Sequence, residues 1–210
     1  DPIYSEMSPF VEVPLGTSED RLLGSIDASS LLENGKWSAQ RGLIEQANGG
    51  VLYIDEVNLL PDHLVDSILD SAASGQHRIE RDGLSQTVNA RYILIGSMNP
   101  EEGDLRPQLT DRFMHGILIH DDFSVEERRE IVRVRMDFDD DPQNFLAEQQ
   151  KKLEQLRSQI LGVRQELKNV DIPENLRTEV AQKAARLKLE GVRAELGVLR
   201  TARCAAAWRG

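Results

Sequence analysis

The chain has 210 residues, a formal net charge of −11, 40% hydrophobic residues and 29% charged residues, enough apolar content for one α/β domain and a small accessory one. The acid excess argues against nucleic acid as a partner, because duplex binding draws on basic patches that displace counterions. No apolar run reaches bilayer length, the 210 residues contain no charged-then-apolar leader, and one cysteine excludes an intrachain disulfide framework. That cysteine, Cys204, lies in an alanine-rich stretch and is expected to pack as a small apolar residue.

After Gly49-Gly50, the run Val51-Leu52-Tyr53-Ile54 ends in Asp55-Glu56. A near-continuous apolar run is what a buried parallel strand needs, and ligands bind at the carboxyl ends of such strands. The pattern reads as a Walker B element, with Asp55 holding the water shell of Mg²⁺ and Glu56 orienting an attacking water. A strand entering an ordinary acidic loop has the same local appearance. From Val57 to Ser74, Leu60, Leu64, Val65, Ile68, Leu69 and Ala72 keep a helical spacing that closes at Gly75, so a helix follows the strand.

Residues 77–81 and 84–88 flank Asp82-Gly83, a strong hairpin signal. A second apolar run, Tyr92-Ile93-Leu94-Ile95, then leads into Gly96-Ser97-Met98-Asn99-Pro100. Asn99 can donate a hydrogen bond to a γ-phosphate or to water, which a carboxylate there could not do without repelling the phosphate. By itself Asn-Pro is also a common turn. Arg106 and Arg112 come next, before a third apolar run, Ile117-Leu118-Ile119, read as another strand. Arg112 is the better candidate for a finger that neutralises a phosphoryl group held by a neighbouring subunit, and Arg106 for a second interface cation.

The remainder is helical. Ser124-Val125-Glu126-Glu127 is a capping box opening a helix to about Met136. Asp137, Asp139, Asp140 and Asp141 read as a solvated connector, since their spacing is not that of a calcium loop. From Asn144 to Lys168, Leu146, Leu153, Leu156, Ile160, Val163 and Leu167 form one apolar stripe expected to pack on neighbouring helices. Pro173 opens another helix, and Arg193 to Arg209 forms the last. The four histidines, His63, His77, His115 and His120, share no metal-ligand spacing and read as surface or strand-end residues.

The segments LYIDEVNLL (52–60), DHLVDSILDSAAS (62–74), IERDGL (79–84) and NPEEGDLRPQLTDRF (99–113) resemble the ATPase I subunit of magnesium chelatase, an AAA+ protein. The resemblance runs from about Phe10 to the end. It implies an αβα AAA+ core over 1–121 and an all-α lid over 122–210, with ATP and Mg²⁺ as cofactors. It assigns Asp55 and Glu56 to Walker B, Asn99 to sensor 1, Arg112 to the arginine finger and the 82–83 hairpin to the insertion before sensor 1. It places a sensor 2 arginine at Arg193, with Arg200 as the fallback, and makes 18–42 an insertion in the second helix and a candidate partner-contact loop. It further implies a homo-oligomeric ring of six, a D-type AAA+ subunit and a large porphyrin-binding subunit as partners, in a bacterial cytoplasm or a plastid stroma.

The sequence contains no Gly-x-x-x-x-Gly-Lys-[Ser/Thr], so the P-loop strand and helix are expected to precede residue 1 in the parent protein. The expected function is the ATPase motor that drives a separate subunit to insert Mg²⁺ into protoporphyrin. Two alternatives stand beside it: a non-catalytic assembly platform, and an ATPase for cobalt chelation or for MoxR-type activation of another metalloprotein.

Overall fold

The computed structural model describes residues 8–27, 38–81, 84–120 and 122–210. They form two compact units, Asp1–Arg112 and Phe113–Gly210, a division that falls before the expected boundary at 121.

The first unit is built on a parallel sheet of β1 (Phe10–Val13), β4 (Val51–Ile54) and β7 (Ile93–Gly96), in the order β1-β4-β7. The central strand matches its sequence: Leu52 and Ile54 are buried outright, and each contributes about 1.5–3 kcal/mol by leaving water. Helix α3 (Asp62–Ser74) follows it after one 3₁₀ turn, Val57–Leu59, and buries Leu64, Val65, Ile68 and Leu69. Gly75 ends α3 at φ 73°, a left-handed value that glycine adopts without a Cβ penalty. Tyr92, just ahead of β7, ties that strand to α3: its hydroxyl donates to Ile68 O at 2.8 Å and shares a 2.6 Å bond with Ser71 Oγ. Burial pushes the Tyr92 phenol up to about 12, so it stays a donor.

Within 18–42 the described residues give a short helix, α1 (Glu19–Leu23), and an antiparallel pair, β2 (Ser25–Asp27) with β3 (Ser38–Gln40). Helix α2 (Leu43–Gln46) then leads into Gly49-Gly50. The expected hairpin is present as β5 (Gln76–Arg81) paired with β6 (Leu84–Asn89), with its Asp82-Gly83 tip outside the described residues. Ile79 and Val88 from the hairpin bury Ile26 of β2, so the insertion and the hairpin share one apolar cluster. Helix α4 (Pro107–Arg112) closes the unit.

Every regular element described in the second unit is a helix: α5 (Val125–Asp140), α6 (Pro142–Glu166), α7 (Glu174–Leu187) and α8 (Arg193–Arg209). The capping box forms as read: Ser124 Oγ accepts from Glu127 N at 3.2 Å, and Glu127 Oε2 accepts from Ser124 N at 2.8 Å. The bonds from Ser124 hold the Glu127 carboxyl below the usual carboxylate range. Val180 and Ala184 of α7 and Ala207 of α8 are buried.

Four expectations for this unit are corrected. Residues 117–119 form no strand; their side chains are exposed, and the regular elements described in the unit are all helices, so no strand there offers the ladder bonds an extended segment needs. Asp137, Asp139 and Asp140 are not a connector but the last turn of α5, where Asp137 and Asp139 pair with Arg133 and Arg135 one turn back. Asp141 caps α6 by accepting from Asn144 N at 3.1 Å. The α6 stripe is uncovered at Leu146, Leu153, Leu156 and Ile160, and Cys204 is exposed, because α8 turns that position outward.

Candidate functional site

The two strands that carry the candidate chemistry are neighbours. Beta-strand β4 pairs with β7 in parallel register from Val51↔Ile93 to Ile54↔Gly96, so both deliver their next residues to the same end of the sheet. The ladder continues past the strands: Ser97 N donates to Ile54 O at 2.9 Å, and Val57 N to Ser97 O at 2.9 Å. This places Asp55 and Glu56 against Ser97, and Asn99 two residues further along the same segment.

Asp55 is exposed, and its Oδ1 accepts from Tyr53 OH at 3.2 Å and also from Ser97 Oγ. Both bonds end on Oδ1, which leaves Oδ2 as the oxygen for a cation's water shell. Glu56 stands at φ 54°, ψ 55°, left-handed for a non-glycine residue, and its N–H donates to Ser97 Oγ at 3.2 Å. Asn99 Oδ1 accepts from Glu101 N at 3.1 Å, capping the 3₁₀ turn Pro100–Glu102. With its oxygen so engaged, the Asn99 amide presents its N–H pair, the donor that an anionic phosphate needs.

The two arginines differ sharply. Arg106 is turned inward: Nη1 bonds Asp62, and Nη2 donates to Asn58 O at 2.9 Å and to Leu60 O. Its guanidinium therefore clamps the 3₁₀ turn behind Glu56 onto the start of α3. Arg112, at the end of α4, makes one exposed ion pair, Nη1 to Asp70 Oδ1 at 2.8 Å. Arg193 and Arg200 lie in the second unit, at the start and middle of α8, seven residues apart and so on one face of that helix.

Sequence reasoning passed over Ser97. The signal was available in Gly96-Ser97-Met98-Asn99, where a hydroxyl sits two residues past the expected apolar run and one past the observed end of β7.

The chemistry of this donor set suits the Mg²⁺ of a nucleotide. That ion keeps several waters and takes one or two carboxylates together with phosphate oxygens, so a lone exposed aspartate at a strand end is sufficient protein ligation. Among the described residues there is no group of three or more His, Cys, Asp or Glu fit to hold a metal by protein ligands alone. The phosphate cradle is not supplied by these residues.

Residues 21–111 match the family described as magnesium chelatase, subunit ChlI. The chain is 45% identical over 202 residues to the magnesium-chelatase 38 kDa subunit of Chlorobaculum tepidum, covering 96% of this chain and 52% of that protein. It is 46% identical to the corresponding subunit of Rhodobacter capsulatus, covering 99% of this chain and 59% of that one. A chain in a cryo-EM-based structure of the complex between subunits BchI and BchD of magnesium chelatase is 39% identical, with a TM-score of 0.54, over 95% of this chain and 69% of that chain. The present chain thus spans little more than half the length of the curated relatives named. An AAA+ sheet with paired strand ends, together with this degree of identity along nearly its whole length, makes the chain a member of the magnesium-chelatase ChlI family.

Proposed function

We propose that this chain is the Walker B, sensor 1 and lid portion of the ATPase motor of a magnesium chelatase. The observation that carries the reading is the juncture of Asp55, Glu56 and Asn99 at adjacent carboxyl ends of β4 and β7. When bound, MgATP supplies the phosphoryl group and the cation that neutralises its charge. Asp55 holds the cation's water shell, Glu56 orients the attacking water and draws its proton, and Asn99 donates to the phosphate. Arg112 completes the site of an adjacent protomer, so hydrolysis requires a ring, with six protomers expected. Arg193 of the lid, or Arg200 on the same face, couples lid angle to phosphate state.

The first unit is the nucleotide-binding core and the helical unit is the lid. The BchI–BchD complex supports a D-type subunit as partner. A large porphyrin-binding subunit carries out insertion of Mg²⁺, the substrate cation, into protoporphyrin. No helix among the described residues is long and apolar enough to cross a membrane. The proposed home is a bacterial cytoplasm or a plastid stroma.

The test is Glu56→Gln in the full-length protein carrying this chain, assembled with its D and large subunits. Nucleotide binding should persist while hydrolysis and porphyrin metallation, followed by absorbance, both stop. Hydrolysis at the parent rate in that variant removes Glu56 from the mechanism, and absence of ATP hydrolysis by the parent assembly sinks the motor reading.

A further inference from the structure

We infer that Ser97 is the positioning residue for the Walker B pair, joining the end of β7 to the end of β4 so that they act as one piece during hydrolysis. The inference rests on the ATPase reading above and deepens it. A serine hydroxyl has one proton to give and lone pairs to receive. Here both capacities are used on consecutive residues: Oγ–H goes to Asp55 Oδ1, and the oxygen accepts the Glu56 N–H at 3.2 Å. The Ser97 backbone brackets the same turn, donating to Ile54 O at 2.9 Å and accepting from Val57 N at 2.9 Å. Residues 54 to 57 are thus each bonded to this one residue.

Glu56 makes the need plain. Its left-handed backbone, φ 54° and ψ 55°, is one that a non-glycine residue keeps only when its surroundings hold it. That backbone decides where its carboxylate points. The Ser97 side chain is the partner of its N–H, so removing the hydroxyl frees the amide and the direction of the carboxylate together. Asp55 would keep only the Tyr53 bond at 3.2 Å, and its Oδ2 would lose a fixed bearing. Because Asn99 lies two residues beyond Ser97, a shift of the sensor segment on meeting phosphate passes to both carboxylates through this hydroxyl.

Ser97→Ala and Ser97→Thr in the full-length protein test this, with two readouts. The first is hydrogen exchange at the Glu56 amide without nucleotide: alanine should speed it about tenfold or more, and threonine should leave it near the parent rate. The second is steady-state ATP hydrolysis: alanine should lower kcat about tenfold to a hundredfold with KM moved less than about twofold, and threonine should restore kcat. A general structural defect would move KM and the exchange of distant amides as well. Unchanged Glu56 exchange in Ser97→Ala overturns the inference, and so does faster exchange with an unchanged kcat. Should the alanine variant fail to fold, Ser97→Cys, a weaker donor of similar size, takes its place: intermediate kcat and faster exchange support the inference, and parent values of both overturn it. Glu56→Gln in the same series separates the two readings. If that variant hydrolyses ATP normally the catalytic role of Glu56 fails, and exchange at the Glu56 amide then decides the role of Ser97 alone.

Discussion

Arg112 is held by Asp70: its Nη1 lies 2.8 Å from Asp70 Oδ1, joining the end of α4 to the last turns of α3. The Asp70 side chain is 74% exposed and the Arg112 side chain 31%, so the pair is wet, screened by salt and worth less than about 1 kcal/mol. A pair this weak is compatible with the finger role proposed for Arg112. Arg112→Ala should therefore lower stability by less than about 1 kcal/mol while cutting hydrolysis by about a thousandfold, the scale on which arginine fingers act. Nucleotide binding should survive, and mixing this variant with Glu56→Gln should restore part of the activity through mixed interfaces. Normal hydrolysis by Arg112→Ala alone removes the assignment.

Arg106 predicts the opposite balance. It is more enclosed, and it satisfies two backbone carbonyls, Asn58 O and Leu60 O, besides Asp62. Arg106→Ala leaves those acceptors without their donor, and the unfolding free energy should fall by about 1–3 kcal/mol. Lysine offers a point charge rather than a planar fork, so Arg106→Lys should recover little of the loss. Urea denaturation of both variants is the measurement. A loss below that of Arg112→Ala would show that the clamp is incidental.

The arginine contrast also shows how far the sequence could be read. Elements with a clear period were legible: the apolar run ending at Asp55, the 3.6-residue spacing of α3 closing at Gly75, and the Ser124 capping box each specify structure through local chemistry. Residues 117–119 carried the same apolar signal as a strand, but a strand exists only where a neighbour supplies ladder bonds. The aspartates near 140 look like a loop by charge, yet arginines four residues earlier hold two of them in a helix. Arg106 and Arg112 are indistinguishable as letters six positions apart, and only the fold shows one clamped and the other on the surface. Ser97 became visible when β4 and β7 were found in register, a long-range pairing that no local pattern encodes.

Gly50 marks a close approach of two segments of the chain. A Cβ built there would collide with the carbonyl oxygen of Pro9, the same oxygen that accepts from Val51 N at 2.8 Å at the start of the β1–β4 pairing. Backbone cannot move aside as a flexible side chain can. Gly50→Ala should cost about 1–3 kcal/mol, the range found when tightly packed sites are overfilled. Gly49, where a Cβ would meet nothing within 4 Å but φ is 82°, should lose less when changed to asparagine, which tolerates that conformation. Thermal unfolding of the two variants side by side checks the order, and equal losses would mean that the approach at Pro9 relaxes freely.

His77 gives the fold a pH dependence whose sign can be worked out. It sits half-buried on β5, beside an open hollow that it shares with Glu19, Asp20, Arg78 and Glu80, and burial pushes its imidazole below the ordinary 6.5. Between the lowered folded value and 6.5, the unfolded chain binds the proton and the folded chain does not. Stability from this group is therefore complete above about pH 6.5, falls as the pH drops through that window, and is lost below the folded value. His77→Gln keeps a polar side chain of similar reach and removes the titration. Urea midpoints of parent and variant at pH 7.5 and pH 5 should show the parent losing more on acidification. If the two midpoints fall in parallel, the acid sensitivity lies with other groups and the burial of His77 does not couple to folding.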